Sequence, residues 1–381
     1  MVALLIKKFL VSVFIICFFT ISADALNEKD ISAQSAVVLN SQTYEVIFEK
    51  NAYEKRSMAS TTKIMTAVLA VESGKLNQIV SITPEMCGAE GTSIGLKSGY
   101  KISLYNLVCA MMLESGNDAA NSVAIYLGGS LDKFAEMMNK KASAIGMKNT
   151  SFVTPSGLDS ENHYSTAYDM ALLGAYAMKN SVLKEISSTK SMRAELETPD
   201  IALSFSNHNK MLSYYEGSYG IKTGFTKKSG RCLVSAAEKS DGNFIAVTLN
   251  APNDWKDHKI LLDYAFKSSK KQEAFFIVPD KISVQGGTKN SVEISTDNES
   301  FTFMYSEDVK IKQKIYMPKF VYAPVRKGET LGYVELIFNN EVIYKTNITA
   351  KTDVSQCEET FFPKQNIFTY LKNKFNEFFN K

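Results

Sequence analysis

Three short runs hold the residue types that acyl transfer at a serine requires: Ser60-Thr61-Thr62-Lys63, Ser115-Gly116-Asn117 and Lys222-Thr223-Gly224. A serine hydroxyl is a poor nucleophile until a base takes its proton. Ser60 and Lys63 stand three residues apart, so on a helix both side chains project from one face and the amine reaches the alcohol. The amine acts as that base only when uncharged, a state that burial and a second cation favour by lowering its pKa. Lys222 is the second cation on offer. Ser115 is read as a hydroxyl relay between Lys63 and a leaving group, and the Asn117 amide as the holder of a substrate carbonyl. Lys222-Thr223-Gly224 ends a strand-like run in which Gly224 lets a substrate backbone approach and pair along a sheet edge. Thr223 and Lys222 offer a donor and a positive charge to a carboxylate, and the N–H groups of Ser60 and Phe225 form a pair of donors for an oxyanion. Taken singly, each run has a plainer reading: a capping serine beside a solvated lysine, a capped turn, an exposed strand end.

Bringing the three runs together takes an α/β unit whose first and last parts share a sheet. Alternation and a turn over Ser35–Glu49 predict a hairpin. Apolar residues at helical spacing predict helices over Thr61–Glu72, Leu104–Leu113, Ala119–Leu127, Leu131–Ile145 and Thr166–Met178. Strand-like runs return at Tyr219–Thr223, Arg231–Ala237 and Phe244–Asn250, and Trp255–Phe266 reads as a closing helix. From about residue 276 to 352 the pattern becomes short β-type runs split by Gly-Gly, Asn-Asn and Lys-Gly turns, so 26–275 is read as the catalytic domain and 276–352 as a separate small β-domain.

The rest of the composition narrows the class of function. The 381 residues carry 43 Lys and Arg against 40 Asp and Glu, a formal charge of +3, which provides no basic stripe for nucleic acid. Three His and five Cys with no C-x-x-C pair give no ligand set for zinc or an iron–sulfur cluster, and no cofactor is implied. Residues 1–25 read as a secretory signal, with Lys7-Lys8, an apolar run from Phe9 to Ile21 and cleavage after Ala25; an uncleaved anchor is the alternative. The four remaining thiols form no disulfide framework and are expected to be buried and free. At the other end, 361–381 carries Ile367, Phe368, Leu371, Phe375, Phe378 and Phe379 on one helical stripe with lysines elsewhere. That is the composition of a helix lying on a membrane surface; a helix docked on its own domain is the alternative.

In these blocks the sequence resembles the penicillin-binding D-alanyl-D-alanine carboxypeptidases, low-molecular-mass serine enzymes of the bacterial cell wall. The resemblance rests on Ala59–Ala67, Ser115-Gly116-Asn117-Asp118-Ala119-Ala120, Gly157-Leu158-Asp159 with His163–Asp169, and Gly220-Ile221-Lys222-Thr223-Gly224. It implies a β-lactamase/transpeptidase-like catalytic domain, an antiparallel sheet flanked by helices, followed by an all-β domain and an amphipathic tail. It further implies that Ser60 is acylated, that Lys63 is its base, and that Ser115 and Asn117 form the second motif. The implied partners are peptidoglycan stem peptides ending in D-Ala-D-Ala, β-lactam antibiotics and the outer surface of the cytoplasmic membrane. Two positions differ from relatives: Phe225 stands where some have His, and Asn250–Asp263 lacks an arginine that some use to hold the terminal carboxylate.

Three rival readings are weaker. Gly91-Thr92-Ser93-Ile94-Gly95 spells the hydrolase elbow, but turn-rich residues follow it where a helix should. A serine β-lactamase would share the first and third runs, yet Gly116 replaces the aspartate of Ser-Asp-Asn, and no Glu-x-x-Leu-Asn lies between Asn117 and Lys222. A non-catalytic wall-peptide binder would be expected to have lost Ser60 or Lys63, and both are present. His163 reads as a supporting residue.

Overall fold

In a computed structural model, residues 26–239, 242–306, 311–338 and 341–357 are described, together with Lys372 and Phe375. The expected signal segment, and all of the expected tail helix but those two residues, lie outside the described residues. The chain forms two compact units. The first comprises the chain up to Leu39, Val46–Ala237 and Ile245–Ser268; the second comprises Asn40–Glu45, Glu238–Phe244 and the chain from Ser269.

The first unit is built on a five-stranded sheet. Its strands β1 (Ser35–Asn40) and β2 (Val46–Lys50) form the expected antiparallel hairpin. After a 3-10 turn at Ala59–Thr62 come α1 (Lys63–Glu72), β3 (Ile79–Ser81), α2 (Pro84–Cys87), β4 (Lys101–Ser103), α3 (Leu104–Leu113), α4 (Asn117–Gly128), α5 (Leu131–Ile145), α6 (Ala167–Met178), α7 (Ser181–Ser188), β5 (Ser191–Glu195), β6 (Ala202–Ser206) and α8 (Met211–Tyr214). The chain then re-enters the sheet through β7 (Ser218–Thr226), β8 (Gly230–Lys239) and β9 (Gly242–Leu249), and α9 (Asp254–Ser268) closes the unit. The sheet order β2-β1-β9-β8-β7 joins the first and last parts of the unit and leaves β7 at an edge.

Helix α1 is apolar on nearly every face, which for a helix means burial on all sides; Lys63 to Ala70 are buried without interruption. It packs on α3, α4 and α6. Caps fix where its neighbours begin and end. The Ser103 and Thr166 side chains accept backbone N–H bonds at the starts of α3 and α6, and Gly129 and Gly146 end α4 and α5 in the left-handed conformation.

In the second unit, strands β10 (Lys270–Phe275), β11 (Lys281–Gln285), β12 (Ser291–Thr296), β13 (Ser300–Tyr305), β14 (Lys312–Tyr316), β15 (Phe320–Tyr322), β16 (Thr330–Phe338) and β17 (Glu341–Ala350) form a six-stranded sheet, ordered β14-β16-β17-β12-β11-β15, and a β10-β13 pair. Ile282, Val284, Val292, Ile294, Val334 and Ile348 fill its core, at every second position along β11 and β12. β10 lies before the change of character that the sequence places at residue 276.

The thiols fall into two groups. Cys109 and Cys232 are buried, as expected, but Cys87 is half-buried and Cys357 exposed. Cys87 ends the four-residue helix α2, and Cys357 follows the last strand, so neither occupies the helix or strand interior that the expectation assumed. Among the described residues no helix is long and apolar enough to cross a membrane.

Candidate active site

Ser60 sits in the 3-10 turn that runs directly into α1, so the side chain of Lys63, the first residue of the helix, folds back over it. Lys63 Nζ lies 2.9 Å from Ser60 Oγ, 2.7 Å from Asn117 Oδ1 and 2.7 Å from the Ser156 carbonyl oxygen. The last two atoms only accept hydrogen bonds, whereas a hydroxyl can also donate. A neutral amine has two N–H donors and one lone pair. With both donors taken by Asn117 and Ser156, the lone pair is left facing the Ser60 hydroxyl, which is the arrangement for removing its proton.

Electrostatics favour that neutral state. Burial drives the Lys63 pKa well below its ordinary value and the charge of Lys222 adds to the fall, while Asp118 opposes it. Lys222 is itself buried, and burial alone lowers its pKa to about 7; its Nζ donates to the Thr223 carbonyl at 3.1 Å.

Asn117 is anchored from the other side. Its backbone N–H donates to Thr92 O at 2.7 Å and its Nδ2 to Glu90 O at 2.6 Å. The loop that supplies those carbonyls is fixed by the buried Asp118 carboxylate, which accepts from Ser93 Oγ at 2.7 Å, from Ile94 N at 3.1 Å and from Leu96 N at 3.0 Å. Ser93, the serine of the elbow-like Gly91–Gly95 run, is therefore a loop-holding residue. The sequence reading gave the Asn117 amide to a substrate carbonyl; here the protein engages both ends of it, and one Nδ2 hydrogen remains.

Two backbone features close the site. Ser115, between α3 and α4, adopts a left-handed φ of 63°, and Ala59, just before Ser60, one of 48°. Non-glycine residues seldom take this conformation, and they do so mainly where the surroundings enforce it. Glycines permit the close approaches. A methyl group on Gly157, whose φ is +88°, would fall 1.9 Å from Ala59 O, and one on Gly224 would fall 3.0 Å from the Ser60 and Thr61 nitrogens. Edge strand β7 thus presses its Lys222-Thr223-Gly224 segment against the turn that carries Ser60.

The result is a cleft of about 360 Å³ lined by Ser60, Ser115, Thr223, Gly224 and Phe225. The sequence-derived residues are brought together: five line the cleft, while Lys63, Asn117 and Lys222 are buried beside or beneath it. Phe225 is 65% exposed at its wall. His163 is buried next to the turn that carries Ser60. Its Nδ1 accepts from Val153 N at 2.9 Å, so the proton resides on Nε2, which donates to Thr62 Oγ1 at 2.9 Å, and burial lowers its pKa to about 4.

Sequence reasoning missed the wall facing Ser60: Thr92, His208, Lys210, Arg231, Asp254 and Trp255. One signal was available. A turn closing between Thr226 and Gly230 places Arg231 opposite Phe225 in the β7–β8 register, hence on the same face.

A family model described as D-alanyl-D-alanine carboxypeptidase matches residues 22–253. The chain belongs to the D-alanyl-D-alanine carboxypeptidase family. A second model, described as the C-terminal domain of penicillin-binding protein 5, matches residues 266–356. The carboxypeptidase DacF of Bacillus subtilis is 31% identical over 354 residues, covering 90% of this chain and 91% of the relative. Among solved structures, the carboxypeptidase DacD of Francisella tularensis matches with a TM-score of 0.61 at 27% identity, over 87% of this chain and 96% of that one. Penicillin-binding protein 5 of Haemophilus influenzae matches with a TM-score of 0.61 at 28% identity, over 86% and 98%. The carboxypeptidase fold of this chain is therefore the one expected: a catalytic domain of sheet and helices followed by an all-β domain.

Proposed function

We propose that the protein is a serine-type carboxypeptidase that removes the terminal D-Ala from peptidoglycan stem peptides, with Ser60 as nucleophile and Lys63 as base. One observation carries the assignment of roles: both N–H donors of a neutral Lys63 have protein acceptors, so its lone pair faces Ser60 Oγ. In acylation the Ser60 proton passes to Lys63 Nζ as Oγ bonds to the penultimate D-Ala carbonyl carbon. The N–H groups of Ser60 and Phe225 hold the oxyanion, each such donor being worth roughly 2.7–4 kcal/mol. When the C–N bond breaks, the proton reaches the leaving amine through Ser115 Oγ, and free D-Ala departs. Water then attacks the ester, releasing the shortened peptide as a carboxylate and restoring the serine hydroxyl. Thr223, with Lys222 behind it, receives the substrate's terminal carboxylate, and Gly224 leaves room for its backbone beside β7. Asn117 acts mainly by holding Lys63.

A β-lactam offers the same nucleophile a strained amide, and its opening leaves the drug as an ester on Ser60. The enzyme acts outside the cytoplasmic membrane, delivered by the signal segment 1–25 and held at the membrane surface by 361–381. Two measurements test the reading. Residues 26–381 should release D-Ala from a Lys-D-Ala-D-Ala peptide, and a fluorescent penicillin should label wild type but not Ser60→Ala. A labelled Ser60→Ala variant, or no D-Ala release, would overturn it.

A further inference from the structure

The cleft that holds Ser60 continues into two more hollows of the first unit. One, of about 490 Å³, shares Lys210, Arg231, Asp254 and Trp255 with it and adds Tyr214 and Lys256. The other, of about 440 Å³, shares Lys210 and adds Lys190. Ser60 lines neither, so whatever fills them lies away from the bond being cut.

The charges on these walls do not balance. Asp254 is taken by Arg231, whose Nε donates to Oδ1 at 3.0 Å and whose Nη2 lies 2.9 Å from Oδ2. Glu114, next to Ser115, lies 3.3 Å from His208 Nε2 and accepts the Ser206 N–H. Lys190, Lys210 and Lys256 have no acidic partner among the described residues. Arg231 is also held in place: the bidentate pair fixes its plane, and its guanidinium carbon stands 5.6 Å from the centre of the Trp255 ring. Nη1 keeps both N–H donors uncommitted to Asp254. A positively charged wall, with one guanidinium held in place and one ammonium without an acidic partner, fits a planar anion.

A stem peptide extends only one residue past the scissile bond but several residues before it, and Thr223 already receives the terminal carboxylate. We infer that Lys210 and Arg231 form an anion subsite for a second carboxylate, carried by the side chain of the residue that precedes D-Ala-D-Ala. This assignment rests on the carboxypeptidase reading. It makes the enzyme selective for peptides whose third residue is acidic over those in which that carboxylate is amidated.

The test compares N-acetyl-diaminopimelyl-D-Ala-D-Ala with the same peptide bearing a side-chain carboxamide. At low ionic strength the acid should be cleaved with about tenfold higher kcat/KM, the difference lying in KM and shrinking as salt screens it. Lys210→Glu should abolish or reverse the preference. Equal cleavage of the two peptides by wild type, or a preference that survives Lys210→Glu, would overturn the subsite. So would a terminal carboxamide removing the effect of Lys210→Glu, because the lysine would then serve the terminal carboxylate. Fluorescent penicillin labelling separates the two levels: retained labelling with no preference sinks the subsite alone, whereas no labelling of wild type sinks the serine reading beneath it.

Discussion

Asn117 Oδ1 accepts a 2.7 Å hydrogen bond from Lys63 Nζ, and this contact determines which side of the amine faces Ser60. Asn117→Asp would keep the acceptor but place a carboxylate against the amine, which raises the Lys63 pKa and keeps it protonated at neutral pH. Penicillin acylation at pH 7 should fall by about 10²-fold or more and recover as pH rises, a profile that stopped-flow labelling between pH 6 and 10 would read. An equal loss at every pH would mean that the asparagine acts on geometry alone.

Lys222 sets activity against stability. Buried with a pKa near 7, against 10.5 when unperturbed, it lets the unfolded chain bind more protons between those values, so its contribution to stability rises with pH across that window and is most unfavourable below about 7. Lys222→Met should therefore melt higher than wild type at pH 6 by at least about 2–4 °C, with the gain fading towards pH 10. The same variant should acylate slowly at neutral pH, because Lys63 loses the cation that helps to keep it neutral. Calorimetry at the two pH values checks the sign.

His163 predicts acid lability. Its native pKa of about 4 lies below the unperturbed 6.5, so the unfolded chain takes up the proton first as pH falls. Stability should drop between about pH 6.5 and 4 by on the order of 3 kcal/mol from this residue. His163→Gln should flatten that part of the melting-temperature profile. An unchanged slope would assign the loss elsewhere, for instance to His258, which is buried with its pKa lowered to about 3.

The two glycines against the Ser60 turn should fail differently. Gly157→Ala meets a backbone oxygen at 1.9 Å with an unfavourable φ, so it should cost roughly 3–4 kcal/mol of stability along with activity. Gly224→Ala meets the Ser60 and Thr61 nitrogens at 3.0 Å, which a small retreat of β7 relieves. That retreat should lower kcat/KM by about 10²-fold while the melting temperature changes little.

Ending the chain at about residue 360 should release the enzyme from membrane vesicles and leave hydrolysis of a soluble peptide intact. Sedimentation with vesicles gives the first result and a D-Ala assay the second. Persistent co-sedimentation would remove the anchoring role from 361–381.

Helices α3 and α5 were legible to the residue, because an apolar period bounded by a serine cap states both the element and its limits. The sheet strands β7 to β9 were legible as runs, and Ser60 with Lys63 as a pair, since both depend on spacing along the chain. What escaped the sequence depends on distant pieces meeting. β5 and β6 are the exception: Met192, Ala194, Leu203 and Phe205 alternate with polar residues, a local strand pattern to which no strand was assigned. The Ser156 carbonyl that fixes Lys63 belongs to backbone, which no residue type announces. Arg231 and Trp255 reach the cleft only because β8 runs back beside β7 and α9 begins next to it.

Strand β7 lies at the rim of its sheet. Proteins commonly protect such rims from self-association with a proline, a bulge or an inward charge. β7 carries two of these ahead of its substrate-side segment, the register shift between Ser218 and Ile221 and the inward Lys222, so only the short stretch from Thr223 to Thr226 is left to receive a chain.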